Sequence, residues 1–96
     1  MSSDNQRLHA TVHGRVQGVN YRYFVIQQVR GLEIAGWVRN RYNGTVEVMA
    51  EGPRPDMEQL LQALHRGPPS SNVTQVDSQW LEASGEFTGF RVRMTA

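Results

Sequence analysis

The sequence predicts an α+β sandwich in which two helices cover one face of an antiparallel sheet of four or five strands. Three observations carry this expectation. Apolar residues recur at every second position in several short runs, the first being Leu8, Ala10 and Val12. Met57, Leu60, Leu61 and Leu64 instead recur at helical spacing. Between two of the alternating runs stands Asn43-Gly44, a pair suited to the positive φ angles of a tight hairpin. At 96 residues the chain holds a single domain, because a second core would leave each half too short to fold alone.

Residues 1–6 are polar and read as a disordered tail, which assigns 7–96 to the domain. Leu8 to Val12 alternate with His9, Thr11 and His13 as a half-buried strand, and Gly14 stops it. After Gly14-Arg-Val-Gln-Gly18, Asn20 reads as the N-cap of a helix whose apolar positions are Tyr21, Val25, Val29 and Leu32. A second strand, Ile34 to Asn40, is joined through Arg41-Tyr42-Asn43-Gly44 to a third beginning at Thr45. Val46, Val48 and Ala50 of that third strand should face the helices. The clearest helix lies between Pro53 and Gly67, with Asp56 and Glu58 in its first turn and His65 and Arg66 in its last, where each complements the helix dipole. Val73 to Leu81 and Phe87 to Met94 complete the strands. The order is that of a ferredoxin-like βαββαβ sandwich with an extra terminal strand. A right-handed crossover makes the first two strands parallel, so the 14–18 loop and Asn40 should be neighbours at one edge of the sheet.

Composition narrows the chemistry. A hydrophobic content of 39% suffices for an ordinary core, and zero cysteines exclude disulfides, thiolate nucleophiles and cysteine-held metal sites. All ten basic residues are arginine, so lysine-dependent mechanisms are excluded as well. No apolar run approaches the ~20 residues of a spanning helix, and the start lacks a signal-peptide pattern. A soluble cytoplasmic protein is expected, acting as a monomer without cofactor, metal, membrane or nucleic acid. Six arginines against Glu33 alone fall within residues 7–41, which marks this half for an anion.

A glycine-flanked loop running into a helix N-terminus offers converging backbone N–H groups and the positive end of the dipole. Arg22, in the first helical turn, adds a planar fork that matches two phosphate oxygens. Asn40 can hold a water without titrating. No carboxylate sits in the loop and the serines are expected away from this edge, so water is the expected nucleophile. Such equipment suits an acyl phosphate, whose carboxylate leaving group needs little acid assistance.

These segments resemble a known family. Gly14-Arg-Val-Gln-Gly-Val-Asn-Tyr-Arg22 resembles the first acylphosphatase signature, and Gly36-Trp-Val-Arg-Asn40 with Gly44, Val46 and Gly52 resembles the second. The likeness spans about nine-tenths of the chain, to Phe90-Arg-Val-Arg, and includes Gly67-Pro-Pro. It implies a ferredoxin-like, metal-free hydrolase that converts small acyl phosphates to carboxylate and inorganic phosphate. It also implies that Arg22 binds the phosphoryl group, that Asn40 orients water, and that backbone groups of Arg15, Val16, Gln17, Gly18, Val19 and Asn20 cradle the phosphate. In that family the substrate phosphate itself is thought to handle the proton. Two departures stand out. Leu32-Glu33-Ile34 replaces a Leu-Gly-Leu-like turn, which would force Glu33 to positive φ, and Asn20 occupies a slot that is often aromatic.

Other features read as structural. Arg15, Arg39 and Arg41 are expected to be solvated surface charges. His9 and His13 lie about 13 Å apart on one strand face, too far to share a metal. Trp37, Tyr21 and Phe24 read as packing residues. The rival function is a binding module. An RNA-recognition domain uses the same element order, but the third strand, Thr45-Val-Glu-Val-Met-Ala-Glu51, lacks the aromatic and basic side chains it requires. A phosphate-ligand module that binds without turnover is the nearer alternative.

Overall fold

A computed structural model describes residues 5–96. Its elements are β1 (Asn5–Arg15), α1 (Tyr21–Val29), β2 (Ala35–Asn40), β3 (Val46–Pro53), α2 (Arg54–Arg66), β4 (Asn72–Glu82) and β5 (Phe90–Val92). One five-stranded sheet runs in the order β4-β1-β3-β2-β5, with both helices packed against it. Of the tail expected at 1–6, residues 1–4 lie outside the described residues, while Asn5 and Gln6 pair with Pro53 and Gly52.

β3 runs antiparallel to β1 and to β2, and its Val46 is the register partner of both Val12 and Asn40. The first two strands are therefore parallel, and their carboxyl ends meet at one edge. β5 departs from the antiparallel expectation. It lies parallel to β2, Gly36 opposite Phe90 and Val38 opposite Val92, which makes the sheet mixed. The segment after Gly85 crosses to the far edge of the sheet and joins β2 there, leaving β4 as the opposite edge strand.

Period-two alternation sorts the side chains. Leu8, Ala10, Val12, Val38, Val46, Val48 and Ala50 are fully buried under the helices. From α1 they meet Tyr21, Val25 and Val29, and from α2 they meet Met57, Leu60 and Leu64. Asn40, two residues beyond Val38, therefore faces the helix side as well. The alternate positions, including Arg7, His9, Trp37, Arg39, Glu47 and Glu51, belong to the open face.

Turn chemistry differs from expectation at two points. In the β2–β3 loop Asn43 does not take the positive φ expected of the Asn43-Gly44 pair; Gly44 N–H donates to the Arg41 carbonyl at 3.0 Å and Arg41 N–H to the Thr45 carbonyl at 2.8 Å. A single positive φ, Gly44 at 93°, closes it, and Asn43 instead accepts from the Thr45 N–H and hydroxyl. At the end of α1 the left-handed residue is Gly31 (φ 82°), three residues short of Ile34, so Glu33 escapes the strain expected of it. Helix α1 accordingly ends at Val29, and Leu32 packs against the core from the turn. Helix α2 behaves as expected and stops at Gly67, whose N–H caps the Ala63 carbonyl at 2.8 Å.

Candidate active site

The loop between β1 and α1 leaves its sheet after Arg15 and descends toward the hairpin that follows β2. Gly18 (φ 74°) and Asn20 (φ 64°) are left-handed, a backbone pattern that turns successive N–H groups to one side. Asn20 sits at the N-cap position without capping through its side chain, contrary to expectation, because its left-handed backbone aims the amide elsewhere. Its carbonyl accepts the first helical bond, from Phe24 at 2.9 Å. Asparagine tolerates this conformation better than any bulky or branched residue, which explains its presence in a slot that is often aromatic.

Among the described residues, no protein acceptor engages the backbone N–H groups from Val16 to Tyr23. Helix α1 has no acidic residue in its first turn, so its positive end is left uncompensated. Five of the residues expected at the site, Val16, Gly18, Asn20, Arg22 and Asn40, line one cleft of about 440 Å³. Arg22 is half-buried and, among the described residues, makes no ion pair. The Asn40 carbonyl accepts from Ala96 N–H at 3.1 Å, which ties its backbone to the chain running on from β5 and leaves the amide side chain toward the cleft.

The other three expected residues are placed differently. Arg15 is exposed and pairs in the sheet opposite Asn72. Val19 is buried and helps line a separate groove with Pro68 and Ser70. Ser70, expected away from the loop, comes to its outer side and donates to the Val19 carbonyl at 3.3 Å. Gln17 turns its amide across to the hairpin and donates to the carbonyls of Arg41 (2.7 Å) and Thr45 (2.9 Å). One side chain thus ties the loop to the segment immediately after Asn40. The sequence motif implies only a backbone role for Gln17, because carbonyl acceptors leave no residue signature.

Four further residues line the cleft: Tyr21, Tyr23, Ile26 and Val92. Tyr21 is a core residue whose hydroxyl donates to the Leu64 carbonyl at 2.6 Å, and burial pushes its phenol well above the ordinary value. It stays neutral and engaged. Tyr23 and Ile26 could have been found from their i, i+3 spacing beyond Arg22; Val92 could not, since its position depends on the parallel pairing of β5.

The arginines expected to be solvated prove otherwise on the open face. Arg39 Nε and Arg41 Nη1 both reach Glu47 Oε1, at 2.8 and 2.9 Å, and His9 Nε2 meets Glu47 Oε2 at 2.6 Å. Burial alone would raise the Glu47 carboxyl, but these three partners outweigh it and hold the pKa at about 2. Arg7 binds Glu51 at 2.7 Å, and Ser84 and Gly85 add backbone donors. Burial of Glu51 is likewise outweighed, and its pKa is lowered. The guanidinium groups of Arg39 and Arg93 lie over Trp37, 4.7 and 5.0 Å from its ring centre. Much of the positive charge of residues 7–41 is therefore neutralised within the sheet.

Comparison with known proteins agrees with this architecture. The acylphosphatase family model matches residues 8–92. An acylphosphatase of Salinibacter ruber is 46% identical over 88 residues, covering 92% of this chain and 93% of its own. One from Moorella thermoacetica is 48% identical over 87 residues, covering 91% and 92%. The crystal structure of acylphosphatase from Bacillus subtilis superposes with a TM-score of 0.88 at 35% identity, over 92% of this chain and 98% of that one. A family model spanning most of the chain, relatives of nearly equal length and a shared fold leave one conclusion: this chain is a member of the acylphosphatase family of hydrolases.

Proposed function

We propose that the protein hydrolyses the carboxyl–phosphate bond of small acyl phosphates, releasing a carboxylate and inorganic phosphate, with no metal taking part. The observation that carries this reading is one cleft lined by Val16, Gly18 and Asn20, whose N–H groups have no protein acceptor among the described residues, together with Arg22 and Asn40.

In this reading the loop and Arg22 hold the phosphoryl oxygens, Arg22 through two parallel hydrogen bonds. Asn40 accepts a hydrogen bond from the attacking water and fixes its line of approach. Water oxygen bonds to phosphorus while the phosphorus–oxygen bond to the acyl group breaks, and the electron pair leaves on the carboxylate. Charge developing on the phosphoryl oxygens falls on preorganised donors. Among the described residues no carboxylate or imidazole lines the cleft, so the water proton goes to a phosphoryl oxygen and leaves with the product.

The test is hydrolysis of benzoyl phosphate by purified protein in the presence of chelator, beside Arg22→Ala and Asn40→Ala proteins shown to be folded by circular dichroism. The reading requires an active parent and two inactive variants. Loss of activity in chelator that added Mg²⁺ restores would contradict the metal-free mechanism. A folded, inactive parent that still binds phosphate would establish the ligand-binding alternative.

A further inference from the structure

The cleft extends past its phosphate-facing half. Beyond Arg22 its walls are Tyr23, Ile26 and Val92. Tyr23 and Ile26 are three residues apart on α1 and share a face. Val92 approaches from β5, whose alternation places Phe90 and Val92 on the helix side. Arg91 and Arg93 go to the opposite face, where they line a separate groove. Among the described residues, Arg22 is consequently the one charged side chain on the cleft wall. Tyr23 is 56% exposed and Val92 48%, two of only five large apolar side chains left open to solvent among the described residues. Apolar surface held in water next to a binding site gains free energy from a ligand that covers it.

We infer that Tyr23, Ile26 and Val92 form the acyl subsite, and that the preferred substrates carry an uncharged apolar acyl group, aromatic or branched, in place of acetyl. The inference rests on the phosphate reading above, since the acyl group hangs one bond from the phosphoryl oxygen and must occupy whatever adjoins the cradle. A charged acyl group entering here would lie against Tyr23, Ile26 and Val92, with Arg22 already engaged by the phosphoryl group. A cleft of about 440 Å³ has room for a ring beside a phosphate.

Two readouts separate this inference from the activity it rests on. The first is binding of benzylphosphonate against methylphosphonate by titration calorimetry, for the parent, Tyr23→Ser and Val92→Thr; both substitutions are at half-exposed positions and keep the fold. The parent should bind the benzyl compound about ten-fold more tightly. That ratio should fall about three-fold or more in each variant, while affinity for inorganic phosphate stays within about two-fold. Equal binding of the two phosphonates by the parent, or an unchanged ratio in both variants, would overturn the acyl subsite. The second readout is kcat/KM on benzoyl and acetyl phosphate. A parent that discriminates the phosphonates yet hydrolyses neither ester would refute the hydrolase reading and leave the subsite standing. One that hydrolyses both with equal kcat/KM would refute the subsite and leave the hydrolase.

Discussion

Two arginine-rich regions of this small protein are built on opposite principles. On the open face of the sheet, Arg7, Arg39 and Arg41 are each held by a buried glutamate, and Trp37 is covered by two guanidinium groups. At the edge of the other face, Arg22 has no carboxylate partner among the described residues, the loop before it keeps its N–H groups unpaired, and α1 begins without an acid. The first region is saturated and contributes stability; the second holds unmet hydrogen-bonding capacity and is the place for an anion. Counting charges along the chain does not distinguish them, because the compensating acids reside on a different strand.

The largest effect should come from removing the unpaired fork. Arg22→Lys keeps the charge but loses two parallel donors, and turnover should fall about a thousand-fold together with a large loss of phosphate affinity, with the circular dichroism spectrum unchanged. Unaltered kinetics would show that charge, and not geometry, is what the cleft supplies. Asn40→Ala should cost turnover about a hundred-fold and leave inhibition by inorganic phosphate within about three-fold, since its amide holds water and not the phosphoryl group. Parallel losses of both would move Asn40 into the phosphate cradle.

A smaller effect is expected where the two regions are joined. Gln17→Met preserves size and removes the two donors that tie the loop to Arg41 and Thr45. Turnover should drop about ten-fold with phosphate affinity nearly retained, because the cradle survives on β1 and α1 while its placement relative to Asn40 is lost. A variant whose phosphate affinity falls as far as its turnover would mean that Gln17 shapes the loop itself.

The saturated face is probed by acid. Glu47 titrates at about 2 in the fold against an ordinary 4.5 in the unfolded chain, so its network contributes stability that is complete above pH 4.5 and is lost as pH falls from there toward 2. The amount at neutral pH is about 3 kcal/mol. Glu47→Gln should lower neutral-pH stability and flatten the acid limb of the unfolding profile, with kcat the same at pH 7. A loss of kcat matching that of Asn40→Ala would show that the ion cluster also governs the cleft.

The fold was legible because its signals are local. Periods of two and 3.6 separate strands from helices, and Asp56, His65, Arg66 and Gly67 frame α2 in the sequence itself. The edge that brings Val16 and Asn40 together followed from handedness alone. What escaped depends on pairing across the sheet. Arg39 finds Glu47 because they are register partners, and this register is set by the length of a loop whose turn differs from the expected type. β5 is three residues long and reaches β2 without a hairpin, so neither its direction nor the entry of Val92 into the cleft had a signature to read. Gln17 is recognisable by its place in a motif, but the work of its side chain becomes visible only with the hairpin carbonyls beside it.

The contrast between the two arginine regions is tested most directly by titrating ¹⁵N-labelled protein with inorganic phosphate and following the amide signals. Saturable shifts are expected at Val16 through Tyr23 and at the Asn40 side chain, with the signals of Arg7, Arg39 and Glu47 unmoved. Shifts centred on the open face, with the β1–α1 loop silent, would contradict it.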